Sequence, residues 1–250
     1  MRRTILAILG SMLGAMSMAS SGSATAAELT VFCTQALRTS LLDLAPRFTA
    51  ATGHKVNLVV APSGQLVKKV QAGEIADLLI ANAGNIDALI KDRKVTGDRI
   101  DIAKAQVGLS IKAGQPRPDI STPEAVKRAL LDAKAVSYSA GGLSGTAFEN
   151  VLAKLGIAEQ IKAKAKNASP AAKLVVSGEA DIAVQQISEL IAVEGAELLG
   201  PLPGALDQVT QFSMGVLADS KQKEVARAMI DYLRTPEAQA VIKSKGLTPG

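Results

Sequence analysis

ELTVFCTQALRTSLLDLAPRFTAATGHKVNLVVAPSGQLVKKVQAGEIADLLIA, residues 28–81, alternates three short apolar runs with two amphipathic stretches. Glu28 to Cys33 reads as a strand, and Ala36 to Thr49 as a helix that puts Leu37, Leu41, Leu44 and Phe48 on one face. Val56 to Val60 is a second strand. Gly64 to Ala72 is a second helix with Leu66, Val67 and Val70 together, and Ala76 to Ala81 is apolar enough for burial on both faces. This βαβαβ unit calls for a parallel sheet covered by helices, with ligands at the carboxyl ends of the strands.

Upstream, Arg2 and Arg3 precede an apolar stretch from Ile5 to Met18 and small residues ending in Ala24-Thr25-Ala26-Ala27. That order is a secretory signal, so residues 1–27 are expected to be cleaved and the mature chain to be periplasmic. The apolar stretch falls short of the ~20 residues a membrane span needs, and charges interrupt every later run, so no membrane insertion is expected after cleavage. The only cysteine, Cys33, lies past the cleavage region, which gives a lipoprotein anchor no attachment point.

Downstream, the alternation resumes with a strand at Val107–Lys112, a helix at Thr122–Leu131 and strands at Ala135–Ser139 and Ala180–Val184. Gly114-Gln115-Pro116-Arg117-Pro118 is a loop by composition. Phe212–Leu217 is a last strand, followed by helices at Lys221–Leu233 and Pro236–Lys243, the second with Thr235 as its N-cap candidate.

The formal net charge of +5 becomes +3 when Arg2 and Arg3 are lost, because residues 1–26 hold no acid. That balance, with no Trp and aromatic content of 2%, supplies neither the basic surface nor the stacking rings of a nucleic-acid binder, and it disfavours a sugar site. One histidine and one cysteine cannot furnish the usual zinc set, so neither a metal nor a cofactor is expected.

Three segments, LTVFCTQALRTSLLDLAPRF (29–48), APSGQLVKKVQAGEIADLLIA (61–81) and DYLRTPEAQAVIKSKGL (231–247), resemble in order and spacing the molybdate-binding, ModA-like branch of periplasmic solute-binding proteins. The resemblance implies an α/β chain with the type II periplasmic-binding-protein fold. Two α/β lobes would be joined by two crossover strands, with lobe I at 28–107 plus 210–250, lobe II at 108–209, and a ligand cleft between them. It further implies a monomer that captures a small anionic ligand for an inner-membrane ABC permease.

Anion clefts of this kind rely on hydroxyls and backbone N–H groups at helix starts. The matching parts are Thr34 and Gln35 after the first strand, Ser63 after the second, and Ser144, Gly145 and Thr146 in the loop SAGGLSGT (139–146). Each has a second reading: a Ser or Thr before a helix caps it, and Gly141, Gly142 and Gly145 can serve a tight turn alone. The resemblance also sets departures. Oxyanion-binding members use two serines in the first lobe, and Ala36 stands at one of those positions; Gln186, in VQQISEL (184–190), stands for a tyrosine. Losing two donors weakens the case for molybdate, at ~1.5–3 kcal/mol for each charge-assisted bond. Arg38, in the first turn of the opening helix, offers a carboxylate fork or is a solvated helix residue. With Gln35, Gln185 and Gln186 nearby, an organic acid fits the mixture better than a bare oxyanion.

No nucleophile–histidine arrangement, phosphate loop or dinucleotide fingerprint is present, and His54 reads as a turn residue. Cys33 reads as a packed small residue and Asp77 as an anchor of a strand start. One enzymatic alternative comes from the resemblance: a cofactor-independent isomerase of the aconitate isomerase kind, which moves a proton on a tricarboxylate. It needs a carboxylate clamp and one base, and Glu149 is the candidate base nearest the second-lobe loop.

Overall fold

The computed structural model describes residues 26–250, so all but the last two residues of the signal read at 1–27 lie outside it. The chain starts with β1 (Glu28–Thr34), a single 3-10 turn at Gln35–Leu37, and α1 (Arg38–Thr52). Leu37, Leu41, Leu44 and Phe48 of that segment are buried as their spacing requires. The helix outlasts its expected end by three residues, to Gly53 at φ 78°, whose N–H closes on the Thr49 carbonyl at 2.8 Å. Next come β2 (Lys55–Ala61), α2 (Ser63–Gln71), β3 (Leu78–Asn82) and α3 (Ala83–Lys91). β1 pairs in parallel with both β2 and β3.

The largest departure from the sequence reading is β4 (Val95–Lys112), expected only from Val107. Its first part carries the exposed charges Asp98, Arg99, Asp101 and Lys104, which hide the strand pattern, and its register shifts twice against its partner. Lobe II follows with α4 (Pro123–Asp132), β5 (Val136–Tyr138), α5 (Leu143–Leu155), α6 (Ala158–Lys162), β6 (Ala165–Asn167), α7 (Ala172–Ser177), β7 (Ile182–Gln186), α8 (Ile187–Leu190) and β8 (Ala196–Pro201). β9 (Val209–Leu217), α9 (Lys223–Leu233), α10 (Pro236–Ser244) and β10 (Thr248–Pro249) return the chain to the first lobe. β6, β8 and β10 and the helices α3, α6, α7 and α8 were not foreseen, and α5 starts at Leu143 rather than near Ala147, so Ser144, Gly145 and Thr146 lie in its first turn and not in a loop.

β4 belongs to both lobes. Up to Gln106 it pairs antiparallel with β9, and from Val107 it pairs antiparallel with β7 and β8. Because β9 is also antiparallel to β3, β4 leaves the first sheet at the carboxyl ends of β1, β2 and β3. The antiparallel pair Val107 with Gln186 puts the carboxyl end of β7 at that same junction. The strand ends of the two lobes therefore face each other, which is the geometry of an interlobe cleft. The return crossing lies alongside: Val107 N–H donates to the Gln208 carbonyl at 3.0 Å, and Gln106 Nε2 donates to both Asp207 carboxylate oxygens at 3.1 and 3.0 Å.

The hydrophobic cores respect the same division. Two clusters, around Phe48 and around Leu66, draw only on residues up to Ala105 and from Phe212 onward. The other two, around Phe148 and around Val175, use residues between Val107 and Leu206.

Candidate functional site

In the first lobe, the parallel register of β1 against β2 pairs Thr34 with Ala61, so the chain two residues past Ala61 arrives beside Thr34. Ser63 Oγ donates to Thr34 Oγ1 at 3.0 Å, and both residues are buried. Neither caps a helix through its side chain: Pro62 holds the cap position of α2, and Thr34 precedes the 3-10 turn without a capping bond. Two hydroxyls thus stand at two helix starts without satisfying them.

In the second lobe, the tight-turn reading of the glycines describes the backbone. Gly142 N–H bonds the Ser139 carbonyl at 3.2 Å, Gly141 sits at φ 75°, and Gly142 caps α5. Gly145 is buried, and a Cβ there would overlap the Ser139 carbonyl oxygen, so its role is close packing of helix on turn. Ser144 is buried in the first turn of α5, and its hydroxyl has no hydrogen-bond partner among the described residues. From the end of β7, Gln186 Nε2 donates to Thr210 Oγ1 at 3.1 Å, leaving its buried Oε1 without a partner. Gln185 is held by Ala171 N–H, which donates to its Oε1 at 2.8 Å, and its Nε2 donates to Glu189 Oε2 at 2.6 Å.

Thr34, Gln35, Ser63, Ser144 and Gln186 line one inner cavity of about 40 Å³, together with Ala36 and Glu189. Arg38 does not. It is exposed and faces a neighbouring pocket of about 430 Å³, shared with Gln35, Lys173 and Glu189. Thr146 faces an adjoining space of about 930 Å³, which shares Ser63, Gly142 and Leu143 with the inner cavity, because two residues along α5 from Ser144 is a rotation of about 200°. Gly145 lines none of these spaces.

The acid named from sequence and the acid at the cavity are different residues. Glu149 is exposed and lines none of the three spaces. Glu189, in the one-turn helix after β7, lines both the inner cavity and the Arg38 pocket, and burial pushes its carboxyl up to about 7. Its only sequence signal is its place three residues past Gln186. Lys173 was missed for a similar reason, since the segment from 168 to 174 showed no pattern. Elsewhere, burial pushes the Cys33 thiol up to about 12, which keeps it unreactive. Asp77 pins a strand start, accepting from Thr30 N–H at 2.8 Å and Ser220 Oγ at 2.6 Å. His54 Nδ1 accepts from Ala27 N–H at 3.1 Å. Among the described residues, no three His, Cys, Asp or Glu side chains are grouped to hold a metal ion, and no helix is long and apolar enough to cross a membrane.

Residues 29–248 match the model of a family described as bacterial extracellular solute-binding protein. The chain is 30% identical over 230 residues to an aconitate isomerase of Pseudomonas sp., covering 88% of this chain and 87% of that protein. It is 28% identical to a molybdate-binding protein of Azotobacter vinelandii over 89% of this chain and 90% of that one. Among solved structures, the periplasmic molybdate-binding protein of Azotobacter vinelandii superposes with a TM-score of 0.74 at 19% identity, covering 88% of this chain and 98% of that one.

Proposed function

The chain belongs to the family of bacterial extracellular solute-binding proteins, and we propose that it captures a small anion bearing more than one carboxylate in the cleft between its lobes. The lobes are 28–107 with 210–250, and 108–209. The signal at 1–27 sends the protein to the periplasm, where it acts as a monomer and delivers its ligand to an inner-membrane ABC permease.

The observation that carries this reading is the convergence of Thr34, Ser63 and Ser144 hydroxyls on one cavity at helix starts they do not cap. Uncapped N–H groups and the helix dipole favour negative charge there. At about 40 Å³ the cavity has room for roughly three waters, so it suits a single carboxylate or oxyanion head. The adjoining pocket supplies Arg38 and Lys173 for a second anionic group. Thr34 supports the reading from another side, because its hydroxyl stands two residues from Ala36 and supplies a donor to the same cavity.

A thermal-shift screen of oxyanions, dicarboxylates and tricarboxylates tests this. One carboxylate at 100 times its Kd stabilises the protein by about 2.7 kcal/mol. A panel in which no anion moves the transition removes the proposal.

A second reading is favoured by the 30% identical aconitate isomerase and by Glu189. A carboxyl titrating near neutrality inside a carboxylate clamp can take a proton from one carbon of a bound tricarboxylate and return it to another, shifting the double bond with no cofactor. Adding cis- or trans-aconitate to the protein alone and following ultraviolet absorbance tests it. A flat trace removes turnover and leaves capture untouched.

A further inference from the structure

We infer that Glu189 enters the ligand complex as a neutral acid, so that an anion captured by the ionised form takes up one proton from solution. The inference deepens the capture reading and rests on it.

The geometry begins with Gln185. Its amide cannot turn, because Oε1 is held by the Ala171 N–H at 2.8 Å; Nε2 is therefore committed to Glu189 Oε2 at 2.6 Å. That bond fixes the carboxyl in place and leaves Oε1 of Glu189 without a partner among the described residues. The same side chain lines the inner cavity where the hydroxyls converge. An anion seated there meets the free oxygen of a carboxyl group.

Two negative charges confined to one cavity of about 40 Å³ repel each other, and the more basic group takes the proton. The neighbours of Glu189 do not relieve this. The charged groups facing it are Arg38 at the start of α1, Lys173 on α7 and Glu194 past the end of α8; all three are exposed, and none bonds to it. Gln35, Ser169 and Ser188, which share the pocket, are neutral. Burial already holds the empty-state carboxyl near neutrality, so the extra proton costs little at physiological pH. Once protonated, the Oε1 hydroxyl donates to the ligand and supplies the phenol-like donor that Gln186 cannot. Gln186 lines the cavity, but its Nε2 is already engaged by Thr210.

The test is calorimetric titration of the purified protein with trans-aconitate and with molybdate, both fully ionised at pH 7.5, in two buffers of different protonation enthalpy. The difference between buffers reads protons taken up per anion. Wild type is expected to take up about 0.8, the fraction of a group titrating near 7 that is still ionised at pH 7.5, and Glu189→Gln none. At pH 8.5 the Glu189→Gln variant binds roughly tenfold or more tightly than wild type, because its amide donates without first acquiring a proton. Glu194→Gln, at the mouth, keeps the wild-type uptake. Binding without uptake in wild type, or uptake that disappears in Glu194→Gln, overturns the inference while leaving anion capture standing. If neither probe binds, capture of these anions fails first, and a carbon-13 NMR titration of the glutamate carboxyls decides the rest: one resonance titrating near neutrality and missing in Glu189→Gln supports the inference, and every glutamate titrating below pH 5.5 overturns it.

Discussion

Helix starts at the cleft and helix starts on the outside of this molecule use the same residue types in opposite ways. At α4 and α10, Thr122 and Thr235 accept from the N–H groups of Ala125 and Ala238 at 3.1 and 3.3 Å, with Pro in the first turn. At α2 and α5 the serines fall one or two positions past the cap, inside the first turn, where they line the cavity, Ser63 with its hydroxyl on Thr34. The acids differ likewise. Glu124 and Glu237 lie exposed in first turns where the dipole favours them, whereas Glu189 lies in a first turn but is half-buried against the inner cavity. Outside, the side chains complete the helices; at the cleft, the helix ends are left for a ligand to complete. α6 and α9 also start without side-chain caps, but on Ile157 and Gln222, so they show only that a cap can be dispensed with.

The contrast can be broken most sharply at Glu189. Its folded carboxyl lies near 7 against an ordinary 4.5, so its contribution to stability is full below about pH 4.5 and is lost as pH rises through 7. Glu189→Gln is expected to match wild type at pH 4.5 and to exceed it at pH 8.5 by on the order of 3 kcal/mol, read by urea denaturation at both pH values. The same substitution at Glu237, an exposed first-turn acid, should show no gain at high pH. A parallel response would place both acids in one environment and dissolve the contrast.

Ser63→Ala should weaken anion binding by about 1.5–3 kcal/mol, roughly tenfold to a hundredfold in Kd, with a smaller change in unfolding free energy. Full affinity in this variant would refute the site. Thr235→Ala should do the reverse, costing about 1 kcal/mol of stability and leaving Kd unmoved. Paired denaturation and binding measurements on these two variants test the division of labour directly. Arg38→Ala is the smallest effect, under about 1 kcal/mol and fading with salt. It sharpens the ligand assignment, because a tricarboxylate reaching the Arg38 pocket should lose more affinity than molybdate held in the inner cavity alone.

Much of this protein was legible in one dimension. Leu37, Leu41, Leu44 and Phe48 announce their helix by spacing, and the apolar run before Ala81 announces a buried strand, because helix and strand periods are local properties. Thr235 with Pro236 announces a cap for the same reason. Thr34, Ser63 and Ser144 could be named from their loops, but not separated from caps, since a hydroxyl's partner depends on one residue's shift in where a helix begins. Other features required the folded chain. The first half of β4 is a strand because β9, more than 100 residues later in sequence, pairs with it. Arg38 and Thr146 leave the inner cavity by helical rotation, and Glu149 by facing outward. Glu189 gains its proton affinity from burial, and burial belongs to the surroundings that the other lobe and its helices build around a carboxyl group, not to the residue itself.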